Sequence, residues 1–164
     1  MENGSRVIDR GRQGTDLRGA EAAAGGRSLD DARLARAAAE ELFLMGLPRV
    51  NMLLAGRDEV VHLVLRTLLG HVLKPIVRWR PGQPLALPPA GQGGTLVLHE
   101  VGALGILDQI RLLEWSAGAR SNPQVISTTP APLLPRVRAG AFIDTLYYRL
   151  NTVYMDVTGP DGTA

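Results

Sequence analysis

From residue 51 onward, short runs of consecutive apolar residues alternate with longer stretches in which large apolar residues return every three or four positions. Asn51-Met-Leu-Leu-Ala55, Pro75-Ile-Val-Arg-Trp79, Thr95-Leu-Val-Leu98, Gln124-Val-Ile-Ser-Thr128 and Val153 to Val157 are the short runs. They predict strands, and the continuous apolar type, as in Thr95–Leu98, suits a sheet covered on both faces. Val60 to Leu73, a segment placing Ile106, Leu107, Ile110, Leu112 and Leu113 before Trp115, and Phe142 to Leu150 predict the helices between them. An earlier helix, capped by Ser28 or Asp30, carries Leu34, Ala37, Ala38, Leu42 and Phe43 at helical spacing and stops at Gly46 and Pro48. Strands alternating with helices mean a parallel, three-layer α/β domain. The Pro/Gly-rich stretch Arg80–Gly94 reads as a loop.

Composition then narrows the classes. Residues 1–28 contain six glycines, five arginines, four acids and only Val7, Ile8 and Leu17 as large apolar side chains, too few to offset the entropy of ordering. They are expected to form a disordered tail, followed by a core domain at 29–158 and a second tail at 159–164. The net charge of +2 over 164 residues makes neither nucleic acid nor a membrane the default partner. The absence of cysteine removes disulfides, thiol catalysis and Cys-ligated metal sites. No apolar run approaches the roughly 20 residues of a bilayer span, and the N-terminus lacks the apolar core of a signal peptide. A cytoplasmic location is therefore expected. The 18 basic residues are 17 arginines and one lysine, Lys74, so chemistry that requires a lysine has one candidate.

Four segments carry more than periodicity: Gly93-Gly94-Thr95-Leu-Val-Leu-His-Glu100-Val101-Gly102; Leu107-Asp-Gln109-Ile-Arg-Leu-Leu113; Gln124-Val-Ile-Ser-Thr-Thr129; and Ala139-Gly140-Ala-Phe142-Ile-Asp144-Thr-Leu146-Tyr-Tyr-Arg149-Leu-Asn151. In this order and spacing the chain resembles the AAA+ ATPase domain of sigma-54-dependent transcription activators, with its GGTLFLDEIG Walker B segment, a downstream helix bearing a Gln, an IAATN sensor strand and a closing FRxDLYYRLN segment. The resemblance implies a P-loop NTPase-like fold with a parallel five-stranded sheet and flanking helices. The stretch between the second strand and Walker B is short and contains no GAFTGA-like string, and the lid subdomain is expected to be absent.

In that family a glycine-rich loop after the first strand cradles phosphates, while a lysine and a hydroxyl meet phosphate and magnesium. The matching stretch reads Gly56-Arg-Asp-Glu-Val-Val-His62-Leu63. Gly56, Arg57 and His62 are thus the candidate cofactor-binding positions in degenerate form, with His62 at the lysine's place and Lys74 too far along the chain to replace it. His99-Glu100 stands where the family has Asp-Glu, leaving Glu100 at the catalytic glutamate's place, and Arg149 matches the second arginine of the closing segment. No metal-ligand set is expected. The resulting expectation is a pseudo-ATPase, not an enzyme, with no cofactor: a regulatory or protein-interaction module linked to transcription, associating with itself or a protein partner through Phe142–Asn151. The alternative is an altered nucleotide-binding domain, a switch or weak NTPase taking ATP and Mg, with Glu100 as base and Arg149 supplied by a neighbour.

Overall fold

The computed structural model describes residues 30–37, 39–41, 50–89, 91–117 and 123–157. The expected tails, the Ser28 cap and the helix end at Gly46 and Pro48 lie outside these residues. Residues 30–37 and 39–41 are helical (α1). There follow β1 (Met52–Ala55), α2 (Asp58–Leu68), β2 (Ile76–Trp79), β3 (Thr95–Leu98), a 3₁₀ turn (Val101–Ala103), α3 (Ile106–Ala117), β4 (Gln124–Thr129), α4 (Leu134–Arg138), α5 (Asp144–Leu150) and β5 (Val153–Asp156).

The five strands form one parallel sheet in the order β2-β3-β4-β1-β5. Because side chains alternate across a strand, the buried runs feed two separate cores. Met52 and Leu54 of β1, Val97 and Ile126 join α1 and α2 on one face through Ala35, Val60, Val64 and Leu68. Leu53, Leu96, Leu98 and Val125 join Leu112, Phe142, Leu146 and Leu150 on the other. Fully burying each of these large side chains contributes about 1.5–3 kcal/mol. The fold is thus the expected three-layer α/β architecture. Among the described residues no helix is long and apolar enough to cross a membrane.

Element boundaries differ from the periodic reading where local chemistry intervenes. Helix α2 starts at Asp58, not Val60, since Asp58 and Glu59 place negative charge in its first turn. It stops at Leu68, not Leu73: Gly70 weakens the helix, and Lys74 precedes a proline, which disfavours the helical region there. The short α4 has no counterpart in the sequence reading, because five residues containing Pro135 show no period and look like loop. Helix α5 starts at Asp144 instead of Phe142, whose ring turns into the core. The Arg80–Gly94 connection is tied down by its own residues and by α3: Leu85 is buried, and the indole N–H groups of Trp79 and Trp115 donate to the carbonyls of Gln83 and Pro88.

Candidate functional site

In a parallel sheet the C-terminal strand ends form one edge, where loops leave room for ligands. Gly56 leaves β1 at this edge with φ +150°, its N–H donating to the carbonyl of Thr129 on β4. No glycine-rich loop follows. Arg57 is the residue before α2, and the helix begins at Asp58 directly. The Arg57 guanidinium bonds the Asp31 carboxylate of α1 at 2.6 Å. Both groups keep solvent contact, so this pair adds no more than about 1 kcal/mol.

His62 and His99, the residues at the lysine and Walker B aspartate places, meet here. Their rings stack with centroids 5.8 Å apart and planes 25° from parallel. His62 lies one turn into α2, and its Nδ1 sits 2.8 Å from the Asp58 carbonyl. A carbonyl only accepts, so Nδ1 carries the proton and Nε2 becomes a donor only in the imidazolium. His99 ends β3 and is 7% exposed. Burial, then the charges of Arg80, His62 and Arg78, hold its pKa below the usual histidine value, against a smaller opposing pull from Asp58.

Around this pair lies an open cavity of about 390 Å³ between α2 and the edge strand β2. Arg66, Arg78 and Arg80 line it with the two histidines, facing the single carboxylate of Glu59. Arg66 is one turn beyond His62 on α2, and Arg78 and Arg80 are two apart along β2 and its extension and so share a face. Arg66, Arg78 and Arg80 match no phosphate-binding motif in the sequence, which singles out none of them. The signal was the i,i+4 and i,i+2 spacing, which acquires meaning only once β2 is known to lie beside α2.

Glu100 follows His99 with φ +47° and ψ +54°, a left-handed conformation that is strained for a residue with a Cβ. Its N–H donates to Thr128 Oγ1 on β4, and its side chain is exposed at the same edge. Arg149 is elsewhere. It lies before β5, at the N-terminal edge of the sheet, where its carbonyl accepts from Asn51 Nδ2 and its guanidinium donates to the carbonyl of Ser116. Lys74, before β2, is at that far edge too. The structure therefore brings Gly56, Arg57, His62 and Glu100 to one edge and leaves Arg149 of the same chain at the other. Among the described residues no group of three or more His, Asp or Glu side chains is arranged to hold a metal ion.

The titration of His99 has a consequence for stability. Its folded pKa is below its unfolded value, so the unfolded chain binds the proton first as pH falls. The stabilisation is present above about pH 6.5 and is lost as pH falls from there through the folded value. Urea titrations between pH 8 and 5 should show this loss and His99→Gln should flatten it; an unchanged slope in the variant would assign the acid sensitivity to other groups.

Neither the family models nor the curated proteins give a match to this chain. Among solved structures, NtrX from Brucella abortus in complex with ATP superposes with a TM-score of 0.58 at 18% identity, over 80% of this chain and 37% of NtrX. Its ADP complex gives 0.59 at 18%, over 87% and 43%. The Drosophila ORC bound to AT-rich DNA and Cdc6 gives 0.58 at 12%, over 89% of this chain and 61% of the matched chain. The chain thus spans roughly two fifths of the NtrX chains, and what it shares with them is the fold, the architecture of the AAA+/P-loop NTPases. Two expectations are corrected on this ground. A domain with no cofactor, and a pseudo-ATPase rather than an enzyme, were inferred from the altered phosphate-loop and Walker B positions; NtrX with this fold is held with ATP and with ADP. Those positions were also an incomplete basis physically, because three arginines from outside them supply positive charge at the same edge.

Proposed function

We propose that this chain is a nucleotide-responsive AAA+-fold module of the sigma-54-activator type, one that binds ATP through an altered phosphate site and works as a switch with weak NTPase activity. The observation that carries this reading is the meeting of His62 and His99 in a cavity lined by three arginines. Phosphate oxygens suit this donor set, since guanidinium groups present paired N–H donors with fixed charge. Gly56 and Arg57 stand just before α2, ahead of His62 on the same helix. Bound ATP supplies the activated phosphoanhydride. Within the chain, the arginines and His62 bind and orient it, while Glu100 holds an exposed carboxylate at the same edge for a water. NtrX held with ATP and with ADP supports this choice over a silent module.

Regulation would pass through self-association, linking the module to transcription. Within Phe142–Asn151, Phe142, Leu146 and Leu150 are committed to the core. Asp144, Thr145, Tyr148 (67% exposed) and Arg149 are the exposed residues that segment can offer a second copy. An arginine at the far edge meets a nucleotide only from such a neighbour, consistent with Arg149 acting across a boundary.

Isothermal titration with ATP and ADP, paired with native mass spectrometry, tests both halves. The expected Kd for ATP is on the order of 10–100 µM, and a twentyfold excess should then stabilise the fold by about 1.8 kcal/mol. Absence of heat and of any melting shift at ~1 mM ATP, about the weakest affinity worth the name, would sink the nucleotide reading; a mass that stays monomeric with and without ATP would sink the assembly.

A further inference from the structure

Nucleotide sites of this fold bring a magnesium ion to neutralise the phosphates, and the ion needs oxygen ligands. The positions that would hold it here are Leu63, which has none, and His99, whose ring faces another imidazole. Magnesium does not fit this donor set. The groove between α2 and β2 instead carries its own positive charge: three guanidinium groups, Arg66, Arg78 and Arg80, against the carboxylate of Glu59. Among the described residues none of these arginines is in an ion pair. All three are exposed and so keep their donors available.

We propose that this groove seats the phosphates of the nucleotide without magnesium, with Arg66, Arg78 and Arg80 taking the place of the ion's charge and the His62–His99 pair making the grip proton-dependent. The proposal rests on the nucleotide reading above. A bare triphosphate offers several negative oxygens to three cations, and each guanidinium can bind two of them in parallel. A magnesium ion arriving with the phosphates would be repelled by those same cations.

The proton dependence follows from geometry. With His62 Nδ1–H committed to the Asp58 carbonyl, its Nε2 can donate to a phosphate oxygen only when the ring is charged. Every group facing the pair bears on this. For His99, burial and the charges of Arg80, His62 and Arg78 oppose the imidazolium and Asp58 favours it; Glu59 and Arg66 line the same cavity. A bound phosphate cancels the opposing charge, so binding takes up protons on the pair and tightens as pH falls toward neutrality.

Titrations on the full chain would use ATP in EDTA, inorganic triphosphate in EDTA, and ATP with excess magnesium, read by calorimetry and by the fluorescence of Trp79 and Trp115. The metal-free ligands should bind at least as tightly as the magnesium complex. R78Q/R80Q should weaken them by about tenfold or more, ~1.4 kcal/mol, while R111Q on α3, whose arginine pairs with Asp108, changes affinity less than about twofold, ~0.4 kcal/mol. Calorimetry in two buffers of different ionisation enthalpy should show net proton uptake. Melting curves of the double variant confirm that it folds. ATP binding that requires magnesium and ignores R78Q/R80Q overturns the groove and leaves the nucleotide reading standing. Triphosphate binding without any ATP binding does the reverse, and no binding of either ligand overturns both.

Discussion

Replacing Gly94 by alanine should cost about 3 kcal/mol or more of stability, whereas the same change at its neighbour Gly93 should stay within roughly ±0.5 kcal/mol. Gly94 has φ +134°, a conformation that side chains rarely adopt, and a Cβ there would lie 2.4 Å from the carbonyl oxygen of Pro75 and 3.1 Å from its Cδ. No real Cβ approaches backbone so closely. Relief requires moving the start of β3 away from β2, which breaks the hydrogen bond from the Thr95 N–H to Pro75 O. The Gly94 carbonyl, which accepts from the Gln124 N–H, would shift off β4 as well. A strained backbone contributes about 1–3 kcal/mol and each ladder bond about 0.5–1.5 kcal/mol. Against a total stability of about 5–15 kcal/mol for a domain, the variant loses a substantial fraction. At Gly93 a Cβ meets nothing within 4 Å. Urea melts of both variants decide the point: similar losses at the two positions would mean that Gly94 is not held by close backbone approach.

This contrast shows what the sequence does and does not reveal. Both glycines belong to one Gly-Gly-Thr motif, and nothing in the chain distinguishes them; the difference arises from Pro75, nineteen positions away, lying beside Gly94 once β2 and β3 pair. The strands themselves were legible because the runs at Met52–Ala55, Thr95–Leu98 and Gln124–Thr129 are buried throughout, leaving no polar positions to interrupt them. Helix α3 was legible from its periodicity, although Ile106, Leu107 and Ile110 lie on its exposed side. Strand order was not legible, since periodicity is silent on which strands are neighbours; it is seen only in the structure. The candidate site was only half visible. Reading the phosphate-loop and Walker B places gave His62 and noted His99 separately, but their stacking depends on how α2 crosses the sheet. Arg66, Arg78 and Arg80 come from two elements that match no phosphate-binding motif. A judgement on the cofactor drawn from the phosphate-loop and Walker B positions therefore omitted the three arginines of the adjoining cavity.

Gln109→Leu should be the second severe change, costing about 3 kcal/mol although leucine is apolar and near in volume. Gln109 is 1% exposed. Its amide group donates to the carbonyls of Leu104, at 2.9 Å, and Ala141, at 3.3 Å, while its oxygen accepts from the Ile143 N–H at 2.9 Å. One side chain thus joins the turn after Glu100 to the start of α5. Leucine deletes all three bonds and leaves the Ile143 N–H and the Leu104 carbonyl facing an apolar core. A buried group left without a partner costs about 1–3 kcal/mol, and two such groups outweigh any gain from added apolar surface, about 0.8 kcal/mol per methylene. The partly exposed Ile110, at 40%, is the control on the same helix; Ile110→Ala should cost under about 1 kcal/mol. Hydrogen exchange separates this mechanism from simple core damage. Protection should fall first at the amides of Ala103, Leu104 and Ile143, ahead of those in β4, because the bridge between these segments is what has been removed. A loss below about 1 kcal/mol, less than one unsatisfied group costs, would show that Leu104 and Ile143 find other partners. Exchange that rises evenly through β4 would instead place the damage in the sheet core.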